Sequence, residues 1–220
     1  MLASAHDRSF GEGAAMTAVR EGAATKGTPG DRGRTTREAL VRSAAELFVE
    51  EGYGAVSVRD LARQTHLTSG AIYGHFRNKA DLLVAAIADR IATELEGPQG
   101  KTNNFSSYIG RQWRTYRSRT AMRALLVEGA AAARVDDDVR DELSELLSTK
   151  LDEWRAIYHE VQIDEKMDPD VDMDTVVVML VAIELGLGVL ESIGLDLPKP
   201  AAWERTVQRL LTSLFPRGRR

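Results

Sequence analysis

Three helix-start signals crowd into the stretch from Ser57 to Asp81, and they constrain the fold more than any other feature of the chain. Ser57 is followed by Asp60, and Asn78 by Asp81. At this spacing a capping oxygen and an acid three residues on satisfy the free N–H groups of a first helical turn. Thr68 or Ser69 supplies a third cap between them. The spacing predicts a helix from about Val58 to Thr65, a tight turn at His66 and Leu67, and a short helix ending near Phe76. A further helix then starts at Asn78. Helices this short are marginal in water unless packing holds them. Leu61, Ala62, Leu82, Leu83, Ala86, Ile87 and Ile91 provide the apolar faces. A preceding helix is predicted from about Arg37 to Glu51, with Leu40, Ala44, Leu47 and Phe48 on one side. Thr35 and Glu38 stand at capping-box spacing before it, and Gly52 ends it.

The rest of the chain keeps the helical period. Further helices are predicted near 105–118, 121–134, 138–162, 172–194 and 200–214, with no strand-like alternation of useful length. Gly97-Pro98-Gln99-Gly100 closes the fourth helix at about Glu96. The expected fold is therefore all-α. It comprises a disordered tail over 1–33, a helix-turn-helix domain over 34–96 and a helical C-terminal domain over 103–216. The tail is rich in Gly, Ala, Ser and Thr and too poor in apolar residues to offset the entropy of ordering. Met16 is a second candidate start within it.

Several function classes drop out on chemistry. There is no cysteine, which removes disulfides, thiolate metal sites and cysteine nucleophiles and suits a reducing cytoplasm. His6, His66, His75 and His159 have no metal-ligand spacing, and no nucleophile–base pairing is visible, so neither a metal, a cofactor nor an enzyme is expected. The start of the chain lacks the basic and apolar runs of a secretion signal. The apolar stretch Val176 to Leu195 is interrupted by Glu184 and Glu191, which favours a helix buried between subunits over a membrane span. Net charge is −4, with nine Lys or Arg against ten Asp or Glu between Asp31 and Glu96. Charge alone does not single out a nucleic-acid-binding region, so any such assignment rests on the motif.

A short helix, a tight turn and a second short helix form a helix-turn-helix, whose second helix fits the DNA major groove with its N-terminal residues toward the base edges. Those residues here are Thr68, Ser69, Gly70 and Ala71. The string Ser57-Val58-Arg59-Asp60-Leu61-Ala62, followed by Thr68-Ser69-Gly70-Ala71-Ile72-Tyr73-Gly74-His75-Phe76-Arg77-Asn78-Lys79, closely resembles the TetR family of regulators. Its most specific part is the Tyr-x-His-Phe-x-x-Lys string with Leu82 three residues on, and Ala44-Ala45-Glu46-Leu47-Phe48 with Gly52-Tyr53 also fits. The resemblance covers about residues 34–94. It implies phosphate contacts from Thr68, Tyr73, His75 and Lys79, and groove contacts from Ser69, Gly70 and Ala71. Ser57 and Val58 would present a helix N-terminus to phosphate. Arg32, Arg34 and Arg37 would form a basic arm along the DNA. His66 stands where the family usually has glycine, and histidine is among the side chains that tolerate positive φ.

The resemblance further implies a cytoplasmic, nucleoid-associated homodimer. It would bind palindromic double-stranded operator DNA and be released by a small-molecule effector, most members being repressors. The helix from Asp172 to Gly194 is apolar nearly all round and contains Gly186 and Gly188, so it is the candidate interface. Val177, Val181, Glu184 and Gly188, with Leu210 and Leu214 of the last helix, are the expected contacts. Trp113, Tyr116, Trp154 and Tyr158 are candidate effector-pocket residues, and Glu128 and Arg134 candidate polar partners for a ligand. The competing class is a helical interaction protein whose helix-turn-helix does not bind DNA.

Overall fold

The computed structural model describes residues 29–96, 116–164 and 166–213. The regular elements are α1 (Pro29–Glu51), α2 (Val58–Thr65), α3 (Ser69–Tyr73), α4 (Lys79–Arg90), a π-helical turn (Ile91–Glu96) and a 3-10 turn (Tyr116–Arg119). They continue as α5 (Thr120–Ala132), α6 (Asp137–Asp164), α7 (Met173–Ser192) and α8 (Pro200–Thr212). Among the described residues every regular element is helical, as the periodicity predicts. Residues 1–28 of the tail expected over 1–33 and most of the helix expected near 105–118 lie outside the described residues, and 29–33 are helical rather than disordered.

Helix α1 starts at Pro29 rather than Arg37. Proline suits the first helical position, where its missing N–H would have had no intrahelical partner. Thr35 and Glu38 consequently fall inside the helix, and Glu38 instead stands 4.0 Å from Arg34 one turn back. The other starts follow the predicted chemistry. Ser57 accepts from Asp60 N–H while Asp60 accepts from Ser57 N–H, a complete capping box. Thr68 caps α3 through Ala71 N–H, and Asn78 caps α4 through Asp81 N–H. His66 ends α2 at φ 55°, the left-handed conformation anticipated for it. The recognition helix stops at Tyr73 instead of Phe76; the chain continues as a turn, with His75 and Phe76 N–H both donating to the Ile72 carbonyl.

A single apolar core runs from the helix-turn-helix into the C-terminal half. It joins Leu40, Phe48, Leu61, Ile72, Phe76, Leu83 and Ile87 to Met122, Leu125, Leu126, Val139 and Leu143. Helix α4 contacts α1, α5 and α6, so the recognition unit sits directly on the C-terminal helices. A second cluster holds Tyr116, Tyr158, Met167, Met173, Val177 and Leu187 under α8.

Helix α7 has two unlike faces. The inward face carries Val177, Glu184, Leu187 and Gly188, and the helix packs on both α5 and α6. There Arg119 and Arg123 both reach Glu184, and Arg123 grips Glu191 with two bonds of 2.7 and 2.9 Å. Burial opposes the Arg123 charge, but the two carboxylates outweigh it and hold the guanidinium above its ordinary range. The outward face exposes Val178, Met179, Val189, Leu190 and Ile193. Met173–Ser192 is long and apolar enough to cross a membrane by composition, with mean hydropathy 2.1. Its two glutamates are nonetheless paired with Arg119 of the 3-10 turn and Arg123 of α5, which marks this helix as packed against protein.

Candidate nucleic-acid interface

The recognition helix α3 is anchored from below and bare above. Ile72 and Phe76 are buried, and they pull α3 onto the core formed by α1 and α4. Tyr73, between them in sequence, is 54 % exposed. Thr68 and Gly70 are exposed, and Ser69, Ala71 and His75 are partly so. A β-carbon at Gly70 would meet only Thr68 Oγ1, at 3.9 Å, so internal packing does not require glycine there. Ser57 and Val58 open α2 at the surface, exposed and half-buried respectively, with the Ser57 hydroxyl engaged in its capping box. Hydrogen bonds from Ser57 to the Asp60 carboxylate hold that group below the ordinary carboxylate range.

Lys79 and the expected arginine arm are placed differently. The Lys79 ammonium donates to the carbonyls of Tyr53 (2.7 Å) and Val56 (3.1 Å) and lies 4.0 Å from the Tyr53 ring centre. It therefore braces the loop between α1 and α2 against the start of α4, and burial pulls its pKa down. Arg34 and Arg37 stand on helix α1 rather than in an extended arm, with the Arg37 guanidinium 4.8 Å over the Phe76 ring. Arg32 lies on the same helix.

The remaining candidates divide between core and surface. Tyr116 is fully buried, its hydroxyl donating to the Pro198 carbonyl and its ring stacked at 5.3 Å on Trp203. Tyr158 is buried in the same cluster, and half-buried Trp154 touches both clusters. Trp113 and Leu214 lie outside the described residues. Glu128 accepts from Tyr53 N–H at 2.9 Å and lines a cavity with Tyr53, Asp136 and Asp138, and Arg134 is exposed.

Among the expected interface residues, Val177, Glu184 and Gly188 are buried within the chain itself, which corrects them as interface contacts: Glu184 and Gly188 lie at Arg123 of α5, and Val177 packs in the cluster with Tyr158 of α6. At Gly188 a β-carbon would lie 3.1 Å from the Arg123 carbonyl oxygen. Val181 is half-buried, while Leu210 is exposed on α8. The helix expected at the interface is apolar on its outer side too, but through a different set of side chains. Sequence reasoning missed Tyr53, Arg119, Arg123, Asp136 and Glu142 as structural partners. Only the capping geometry of Asp136 was locally visible, because the other contacts join residues far apart in sequence.

Residues 40–86 match the family model described as bacterial regulatory proteins, tetR family. The Transposon Tn10 TetC protein of Escherichia coli is 43 % identical over 58 residues, covering 26 % of this chain and 29 % of that protein. The HTH-type transcriptional repressor Rv3405c of Mycobacterium tuberculosis is 39 % identical over 57 residues, 26 % of this chain and 30 % of its own length. The chain thus matches less than a third of these curated relatives.

The fold extends much further. A TetR-family transcriptional regulator from Cytophaga hutchinsonii superposes with a TM-score of 0.65 at 18 % identity, over 84 % of this chain and 98 % of that one. Salmonella enterica GusR does so with a TM-score of 0.64 at 23 % identity, over 82 % and 95 %. Residues 40–86 thus carry the motif of the bacterial regulatory proteins, tetR family, and the described helices share the fold of these TetR-family structures.

Proposed function

We propose that this protein is a DNA-binding transcriptional regulator that reads an operator with the N-terminal half of α3. The observation that carries this reading is Tyr73: a large aromatic, more than half exposed, on a helix whose flanking Ile72 and Phe76 are buried. A side chain of that size gains nothing for the fold in water, and a tyrosine there offers a hydroxyl to a phosphate. Thr68, Ser69, Gly70, Ala71 and His75 share the same surface, and the bare Gly70 lets backbone approach a base edge. Arg34 and Arg37 would reach phosphate from the flank of α1. Lys79 acts mainly by holding the α1–α2 loop in place.

One such unit contacts few base pairs, so the working form is a homodimer on a palindromic operator with half-sites about 34–36 Å apart. The dimer face is the outward side of α7, through Val178, Met179, Ala182, Gly186, Val189, Leu190 and Ile193, with Leu210 of α8 alongside. This is the apolar surface that the folded monomer leaves uncovered. Repression in the cytoplasm with release by a small-molecule effector is the regulatory default. Tyr116, Trp154 and Tyr158 contribute to the wall of the effector domain.

Fluorescence anisotropy on DNA flanking the protein's own gene, across a salt series with competitor DNA, tests the reading. Tight, competitor-resistant binding that weakens steeply with salt supports it. Equal weak binding to every fragment, from this region and from a genome-wide selection, favours the interaction-protein alternative.

A further inference from the structure

Tyr53 sits in the loop between α1 and α2, and every polar atom it has is directed. Its carbonyl receives the Lys79 ammonium at 2.7 Å. Its N–H donates to Glu128 Oε2 at 2.9 Å, and its hydroxyl donates to Asp136 Oδ2 at 3.0 Å. Glu128 is on α5, and Asp136 caps α6 by accepting from Val139 N–H with its other oxygen. The same corner of the C-terminal half reaches the far end of the recognition unit. Asn78 Nδ2 donates to Asp138 at 3.0 Å and Arg77 Nη2 to Glu142 at 3.0 Å. These four polar contacts among the described residues tie the helix-turn-helix to the C-terminal half, two at the loop before α2 and two just after α3.

The apolar contacts between the halves are non-directional and would tolerate a small rotation. Hydrogen bonds with fixed donor–acceptor geometry would not. Because these four straddle the helix-turn-helix, they resist tilting of the unit about either end. We propose that Tyr53 is a positioning residue that sets the angle of the recognition helix against the C-terminal domain, acting with Arg77 and Asn78 on the acidic corner of Glu128, Asp136, Asp138 and Glu142. Burial, and next the Asp136 carboxylate, push the Tyr53 phenol well above its ordinary range, so it remains a hydrogen-bond donor throughout physiological pH. The consequence for operator recognition rests on the regulator reading; the angular restraint itself does not.

The chain has no cysteine, so Gln64→Cys and Ser148→Cys place spin labels at two defined, exposed positions, one on α2 and one on α6. Pulsed electron resonance on doubly labelled full-length protein, diluted with unlabelled protein, reads the distance between the two halves without DNA. In the Tyr53→Phe/Arg77→Gln variant the distribution should broaden relative to the unsubstituted background. Tyr53→Phe alone, which keeps the ring packed on Phe48, should broaden it less and guards against a double variant that fails to fold. Affinity for a full operator should fall about tenfold, as expected from losing roughly 1.4 kcal/mol of restraint, while binding to a single half-site is unchanged. An unaltered distance distribution overturns the proposal, as does a broadened one with full-site affinity intact. If the unsubstituted protein shows a narrow distribution that broadens in the variants but binds no operator, the restraint stands and the regulator reading fails.

Discussion

Lys79 Nζ lies 2.7 Å from the carbonyl oxygen of Tyr53, and this bond ties the first residue of α4 to the loop that leads into α2. The ammonium also donates to Val56, so two loop carbonyls depend on one side chain. Lys79→Met keeps the aliphatic stem and deletes the donor. It should lower unfolding free energy by about 1.5–3 kcal/mol, the range for hydrogen bonds to charged groups. Urea denaturation without DNA checks this, since a lysine serving only phosphate would leave the midpoint unmoved.

Tyr73 provides the opposite case. It is largely exposed and no part of the core, so Tyr73→Ala should change stability by less than about 0.5 kcal/mol. Operator affinity should fall at least about fivefold, the equivalent of one neutral hydrogen bond. Anisotropy titrations paired with thermal melts separate the two effects. A loss of melting temperature matching the loss of binding would show that Tyr73 supports the fold instead.

The two glycines of α7 should behave differently. A β-carbon at Gly188 would meet Val127 Cγ2 at 3.0 Å and the Arg123 carbonyl oxygen at 3.1 Å, and a backbone neighbour yields little. Gly188→Ala should destabilise the protein by about 1–3 kcal/mol, as overpacking does. Gly186 has nothing within 4 Å of that position, so Gly186→Leu should leave helix content intact. If the outward face pairs two chains, that bulk should shift sedimentation toward monomer; a dimer of unchanged affinity would place the interface elsewhere.

Acid should reach the start of α2 late. The Asp60 carboxyl titrates below its ordinary range because Ser57 donates to its ionised form. A group with a depressed folded pKa stabilises the fold above its unfolded pKa, and that stabilisation is lost as pH falls through the folded value. An NMR titration should therefore find a low Asp60 midpoint in the native chain and a return toward the ordinary value in Ser57→Ala. Equal midpoints would show that the capping box does not hold the proton off.

Much of the candidate DNA-binding site was readable because its determinants are local. Ser57 with Asp60, Thr68 with Ala71 and Asn78 with Asp81 lie within one helical turn, so the sequence specifies their hydrogen bonds almost directly. The left-handed His66 follows from the same short-range logic. Helix α1 is the exception: a cap-like pair at Thr35 and Glu38 was present, yet the helix continued back to Pro29.

Orientation was not readable. On α7 both faces are apolar enough to be buried, and the period alone cannot say which side meets the chain's own α5. That was decided by Arg119 and Arg123, which draw Glu184 and Glu191 inward across more than 60 residues of sequence and leave Met179 and Ile193 outside. In the same way Lys79 has the residue type of a phosphate contact, but the fold brings two unpaired carbonyls of the preceding loop within its reach. The sequence by itself determined the helices, their caps and the exposed motif, since those depend on neighbours within a turn. Only the tertiary structure decided which charges are consumed inside the molecule, because a buried ion must find its partner wherever packing has placed one.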